Sequence, residues 1–241
     1  MHTHWVTPPP LIFAVHLRRK SGILRHNIMD TRAFLEQRLI CVAVIDEADD
    51  AVPLAEALLA GGLKVIEVTF RTAGAAESIA RIRRALPEAR VGAGTLLTAD
   101  QVKQAVAAGA QFGVSPGLSE AVLMAAQANN FPLFPGVITP TEVMRALDLG
   151  CQQLKFFPAE AAGGVNMLKS LAGPFGHTGV KFVPTGGITA ANLPHYLAIP
   201  QVAAVGGSWM ADRKLVAVKA WSQITALTAG AMHIIASTPA K

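Results

Sequence analysis

The feature that most constrains this chain is a recurrence. From Asp30 onward a short apolar run is followed by an amphipathic stretch, and the pair repeats eight times. The strand-like runs cover residues 39–44, 64–70, 90–95, 112–115, 131–135, 153–157, 181–184 and 202–205. Their starts fall about 20 to 30 residues apart, the size of one βα unit. Helical patterns lie between them. Residues 52–60 stop at Gly61-Gly62, residues 118–129 form a second, and Leu215, Val218, Trp221, Ile224 and Leu227 give a last helix at helical spacing. The basic run Arg81-Ile82-Arg83-Arg84 reads as a solvated helix face. Eight such units in about 210 residues predict an α/β fold, a single-domain (β/α)8 TIM barrel. A doubly wound open sheet is the alternative.

Composition narrows the function. Hydrophobic residues make up 51% of the 241 and charged residues 15%, which excludes a disordered or fibrous chain. A membrane span is not expected, because the longest uncharged run, residues 220–238, is broken by Ser222, Gln223, Thr225, Thr228 and His233. Four of the five net positive charges come from Arg18, Arg19, Lys20 and Arg25, so the body carries only +1. With 6% aromatic residues and no basic stripe, nucleic acid is not an expected partner. Two cysteines, Cys41 and Cys151, make no disulfide framework and fit a reducing cytoplasm. Residues 1–28 differ in kind: they hold four of the seven histidines, a Pro8-Pro9-Pro10 run and no acid. They read as a basic extension, disordered or upstream of a true start at Met29, with the domain itself covering 29–241.

In a barrel of this class the chemistry gathers at the carboxyl ends of the strands. In the second strand Glu67, Thr69 and Arg71 alternate with Val68 and Phe70, so the three polar side chains share the inward face. A purely structural Glu–Arg pair would give the same pattern. In the sixth strand Lys155 shares a face with Gln153 and Phe157, while Leu154 and Phe156 take the other. Desolvation there, and the cation of Arg71, both disfavour an ammonium. A neutral amine so placed is a carbonyl nucleophile, the chemistry of a Schiff-base lysine. Glycine pairs follow the last two strands, in Pro184-Thr185-Gly186-Gly187 and Val205-Gly206-Gly207-Ser208. Such turns let backbone amides approach a phosphate, and Thr185 and Ser208 add hydroxyl donors. The run Gly92-Ala93-Gly94-Thr95 lacks the third glycine of a dinucleotide fingerprint, so no nicotinamide cofactor is expected. His177, His195 and His233 are dispersed, and no metal is expected either.

These residues resemble a known family. Ile66-Glu67-Val68-Thr69-Phe70-Arg71-Thr72, Val91-Gly92-Ala93-Gly94-Thr95, Ser115-Pro116-Gly117, Phe134-Pro135-Gly136-Val137, Lys155-Phe156-Phe157-Pro158-Ala159-Glu160, Pro184-Thr185-Gly186-Gly187-Ile188 and Gly206-Gly207-Ser208-Trp209 are similar, in order and spacing, to the 2-dehydro-3-deoxy-6-phosphogluconate and 4-hydroxy-2-oxoglutarate aldolases. The resemblance covers residues 31–229. It implies a class I aldolase without a cofactor, a homotrimer of the Entner–Doudoroff pathway. Its implied roles make Lys155 the Schiff-base lysine and Glu67 the general acid/base. Arg71 and Thr95 would hold the pyruvoyl carboxylate, and Pro116 and Phe157 would shape its pocket. Thr185, Gly186, Gly187, Gly206, Gly207 and Ser208 would bind the phosphate. Ala43 stands where many members carry proline and Phe70 where leucine is commoner; both are packing variations. The competing readings are a sugar-phosphate isomerase or epimerase with Glu67 as base, a phosphate-ligand sensor, and aldolases for 4-hydroxy-2-oxoglutarate or for the galactonate-derived substrate.

Overall fold

The computed structural model describes residues 31–239, so the extension expected over residues 1–28 lies outside the described residues. Nine strand segments run through it: β1 (Leu39–Ala43), β2 (Val65–Thr69), β3 (Arg90–Gly94), β4 (Gly113–Val114), β5 (Leu133–Phe134), β6 (Gly136–Val137), β7 (Gln153–Phe156), β8 (Lys181–Pro184) and β9 (Val205–Gly207). Every paired neighbour is parallel, in the orders β5-β4-β3-β2-β1-β9 and β6-β7-β8. Two seams join these arcs. Only Pro135, which has no N–H for a ladder, separates β5 from β6, so the two make one stave. On the other side Thr185 bridges Gly206, Phe182 bridges Val202, and the Phe182 N–H donates to the Gln201 carbonyl at 2.7 Å. Eight staves therefore close into a (β/α)8 barrel, and the open sheet does not form.

The helices are α1 (Arg32–Leu35), α2 (Ala51–Ala60), α3 (Ala75–Ala85), α4 (Ala99–Ala107), α5 (Glu120–Ala128), α6 (Pro140–Asp148), α7 (Gly164–Ala172), α8 (Leu193–Leu197), α9 (Arg213–Ala217) and α10 (Trp221–Ser237). Thr98 with Gln101 and Thr139 with Glu142 close capping boxes on α4 and α6, each satisfying otherwise orphaned N–H groups. Gly61 ends α2 where a Cβ would stand 2.5 Å from the Thr228 Cβ, so its bare backbone lets α10 seat against α2.

Period-two alternation sorts the strands into two apolar layers. Cys41, Ile66, Val68, Val91, Ala93, Leu154 and Phe156 face outward and pack with the buried helix faces. Ile40, Val65, Phe112, Val114, Phe134, Val183 and Ala204 fill the interior, with Phe34 of α1 beneath them. The Phe112 ring lies 4.9 Å from Phe34 and 5.8 Å from Phe134, centroid to centroid. Burying each such ring contributes about 1.5–3 kcal/mol. The amino end of the barrel is thus packed.

Three expectations need correction. The last strand is not 202–205 but Val205–Gly207, because its glycines pair with β1, Gly206 opposite Ile40 and Gly207 opposite Cys41. The fifth stave extends beyond 131–135 to Val137. The last helix is two helices: Lys219 adopts φ 54°, which ends α9 and restarts the chain as α10, and leaves Val218 exposed. In the Arg81–Arg84 run the arginines stay at the surface, Arg81 pairing with Glu77 and Asp49, while Ile82 is fully buried.

Candidate active site

A cavity of about 230 Å³ opens at the carboxyl end of the barrel, and eleven of the twelve residues singled out from the sequence line it. On β2, Glu67 and Thr69 point inward, as the alternation requires, and are nearly inaccessible to solvent. Lys155 on β7 reaches in from across the barrel. Its Nζ lies 3.7 Å from Oε1 of Glu67, with side-chain exposures of only 7% and 3%. Glu67 Oε1 has no hydrogen-bond partner among the described residues. A carboxylate oxygen left unpartnered in so dry a site is costly unless a ligand or a proton meets it. Phe157 places its ring centroid 4.9 Å from the Lys155 Nζ, screening the amine from bulk water while leaving the side facing the cavity open.

Space for the Glu67 carboxylate comes from β3. Gly92 and Gly94 point into the barrel opposite Glu67 and Thr69. A Cβ on Gly92 would lie within 2.6 Å of the Phe112 ring, and one on Gly94 would stand 2.7 Å from both Cγ and Cδ of Glu67. The sequence alone assigns these glycines no role. Their spacing of two within a strand, beside an inward carboxylate on the preceding strand, is the signal that points to it. Thr95 then turns out of β3 with φ 58°, a strained conformation for a β-branched residue, at the cavity wall.

The remaining lining residues come from loops. The Thr69 hydroxyl donates to the Ala43 carbonyl at 3.2 Å and accepts from the Arg71 Nε at 3.3 Å, which steers the guanidinium over the mouth. Pro116 packs so closely on the fifth stave that a Cβ on Gly136 would stand 2.7 Å from Gly117 N. After β8, Gly186 and Gly187 take φ 104° and 76°, and the N–H groups of Gly186, Gly187 and Ile188 donate to no backbone carbonyl among the described residues. Consecutive unpaired amides of this kind form an anion-binding concavity. Gly206 lets Thr185 close the turn, since a Cβ there would meet the Thr185 Cγ2 at 3.1 Å. Gly207 is the exception: it packs beneath Trp209, where a Cβ would stand 2.6 Å from Cε3, and does not line the cavity. Val42 and Ile188 line it without having been singled out.

A second hollow of about 330 Å³ adjoins the first beyond Arg71 and Ser208. Its wall includes Arg213, whose guanidinium makes two hydrogen bonds to Asp46, at 2.6 and 2.7 Å, and holds that carboxyl below its ordinary range. Among the described residues no three His, Cys, Asp or Glu side chains converge as a metal site. The two thiols lie outside the cavity. Burial, aided by the Glu67 charge, pushes Cys41 up to about 12, and burial alone pushes Cys151 up to about 11.

Comparison with known proteins gives this geometry a class. The family profile for KDPG and KHG aldolase matches residues 31–227. A 2-dehydro-3-deoxy-phosphogluconate aldolase of Treponema pallidum is 48% identical over 198 residues, 82% of this chain and 93% of that protein. The KHG/KDPG aldolase of Escherichia coli K12 is 45% identical, over 81% of this chain and 91% of its own length. The KDPG aldolase of Legionella pneumophila, solved with pyruvate captured as a covalent carbinolamine, superposes with a TM-score of 0.79 at 45% identity, over 82% of this chain and 95% of that one. A barrel with this site and these relatives is an aldolase, a carbon–carbon lyase. The isomerase, epimerase and sensor readings give way to it. More particularly, the chain belongs to the KDPG and KHG aldolase family.

Proposed function

We propose that this chain cleaves 2-dehydro-3-deoxy-6-phosphogluconate to pyruvate and D-glyceraldehyde 3-phosphate through a Schiff base on Lys155. The approach of Lys155 Nζ to the otherwise unpartnered Glu67 Oε1, 3.7 Å apart in a buried mouth, carries this reading. Proton transfer from the ammonium to Glu67 leaves a neutral amine. It attacks the C2 ketone; Glu67 returns that proton to the carbinolamine hydroxyl, which leaves as water and gives an iminium, an electron sink for the neighbouring carbons. Glu67 then takes the C4 hydroxyl proton. The C3–C4 bond breaks, its electrons pass into the iminium to form an enamine, and the aldehyde leaves. Glu67 returns the proton to C3, and water hydrolyses the new iminium to pyruvate and free Lys155.

Arg71 and Thr95 hold the substrate carboxylate in this scheme, between Pro116 and Phe157. The phosphate meets the amides after β8, with Thr185, Gly206 and Ser208 around it. Gly207 contributes through the backbone position it gives Ser208. A relative in Zymomonas mobilis, 46% identical with a TM-score of 0.76 over 84% of this chain and 95% of that one, was solved with 3-phosphoglycerate, which supports a phosphate site on this scaffold. The E. coli relative is a KHG/KDPG aldolase, which also favours 4-hydroxy-2-oxoglutarate as a second substrate, cleaved to pyruvate and glyoxylate by the same residues. A cytoplasmic homotrimer completes the proposal. It is supported by the exposed apolar side chains of Leu97, Met124 and Met144, and no helix among the described residues is long and apolar enough to cross a membrane.

The test is pyruvate release from each substrate, followed with lactate dehydrogenase. The wild-type protein should prefer the phosphorylated acid, and Lys155→Ala should lose nearly all turnover of both. A Lys155→Ala protein that keeps near-normal rates refutes the assignment. Light scattering on the same preparation reads the trimer directly.

A further inference from the structure

The Lys155–Glu160 motif ends in a carboxylate that the reaction above leaves unused. The loops after β7 and β8 are laced together beyond their strands: Ala159 N–H donates to the Thr185 carbonyl at 2.8 Å, and Glu160 N–H to the Gly186 carbonyl at 3.0 Å. This brings the Glu160 stem directly under Gly187, where a Cβ would stand 2.7 Å from the Glu160 Cβ and 2.9 Å from its Cγ. Methylenes, not oxygens, therefore support the turn. The carboxylate is drawn aside by Tyr196 of α8, a fully buried residue whose hydroxyl donates to Glu160 Oε1. Gly164, at φ 62°, leaves room for this contact, since a Cβ there would lie 3.2 Å from Glu160 Oε1 and 3.5 Å from the Tyr196 hydroxyl. Burial and the Glu160 carboxylate both push the Tyr196 phenol above its ordinary value, so it stays a donor at any working pH.

We propose that Glu160 and Tyr196 are positioning residues for the substrate phosphate, the Tyr196 hydroxyl pinning the Glu160 stem beneath Gly187 and holding its negative charge away from the unpaired amides of the Gly186–Gly187 turn. The pair touches no reacting atom. This inference rests on the phosphate recognition proposed above. It assigns that recognition a support built from the loop on one side of the turn and the helix on the other.

The experiment compares wild type with Tyr196→Phe, Glu160→Ala and Glu160→Gln. It reads KM and kcat for 2-dehydro-3-deoxy-6-phosphogluconate, competitive inhibition by inorganic phosphate, and the rate of borohydride trapping with pyruvate, which carries no phosphate. Tyr196→Phe keeps the buried ring and removes only the hydroxyl. Tyr196→Phe and Glu160→Ala should raise both KM and the phosphate inhibition constant roughly three- to tenfold, the effect of one hydrogen bond, with kcat and pyruvate trapping within about twofold of wild type. Glu160→Gln, which still accepts from Tyr196 and carries no charge, should stay near wild type or bind phosphate more tightly. Equal losses in phosphate binding and pyruvate trapping mean a merely structural pair and overturn the inference, as does an unchanged KM. Phosphate that inhibits wild type and variants alike refutes the role of the pair alone. Phosphate that fails to inhibit wild type refutes phosphate recognition at this turn, and the inference with it.

Discussion

Replacing Gly94 by alanine puts a methyl group against the Glu67 side chain. The new Cβ would stand 2.7 Å from Cγ and Cδ of Glu67, so these atoms must retreat about 0.7 Å to reach the 3.4 Å of ordinary contact. The carboxylate oxygen, closer still, must move further. It has nowhere easy to go, because the Glu67 side chain is 3% exposed and Lys155 faces it at 3.7 Å. Overpacking of this kind costs about 1–3 kcal/mol. At roughly 2–4 °C per kcal/mol for a domain of this size, Tm should fall by several degrees. The effect on turnover should be larger, since a misplacement of about 1 Å at a reacting group can cost on the order of a hundredfold. We therefore expect kcat in the lactate dehydrogenase assay to fall about ten- to a hundredfold, with a folded protein by circular dichroism. Gly230→Ala is the control: it lies within α10 with nothing within 4 Å of a built Cβ, and should leave kcat unchanged while stabilising by about 0.5–1 kcal/mol. A Gly94→Ala protein with wild-type kcat would show that Glu67 needs no fixed position, and would refute the geometric basis of its role.

Two further outcomes follow from the titrating groups. With Cys41 near 12 and Cys151 near 11, only about one thiol in a thousand or fewer is ionised at pH 8, so iodoacetamide should label neither in the native protein and both after unfolding, as peptide masses will read. Burial pushes the Glu142 carboxyl up, but the N–H groups of Ile138 and Thr139 and the Thr139 hydroxyl outweigh it and hold the group below the ordinary 4.5. A depressed carboxyl contributes stability that is present above its unfolded value and lost as pH falls through the folded one. Glu142→Gln should accordingly lower Tm by roughly 1–4 °C at pH 7, and the difference should shrink as pH falls below 4.5.

Much of the fold was legible because its information is local. Period two in β2 and β7 placed Glu67, Thr69 and Lys155 inside the barrel, and Val68, Leu154 and Phe156 outside, as the two apolar layers have them. What escaped is set by contacts distant in the chain. Gly206 and Gly207 read as a turn, yet they complete a strand, since bare backbone is needed where Thr185 and Trp209 close in. The break at Lys219 follows from a left-handed residue that carries no glycine to announce it; its ammonium reaches Asp50 at 3.4 Å. Gly92 and Gly94 reveal their purpose only once Phe112 and Glu67 are seen in the space they leave. The Tyr196–Glu160 contact spans 36 positions and has no periodicity to betray it.

The most direct test of the Schiff-base assignment is to incubate the protein with pyruvate and borohydride and to measure intact and peptide masses. A single reduced-pyruvate adduct on the peptide that holds Lys155, absent from Lys155→Ala, is the expected result. A folded protein that takes no adduct, or takes it on another lysine, would contradict the mechanism.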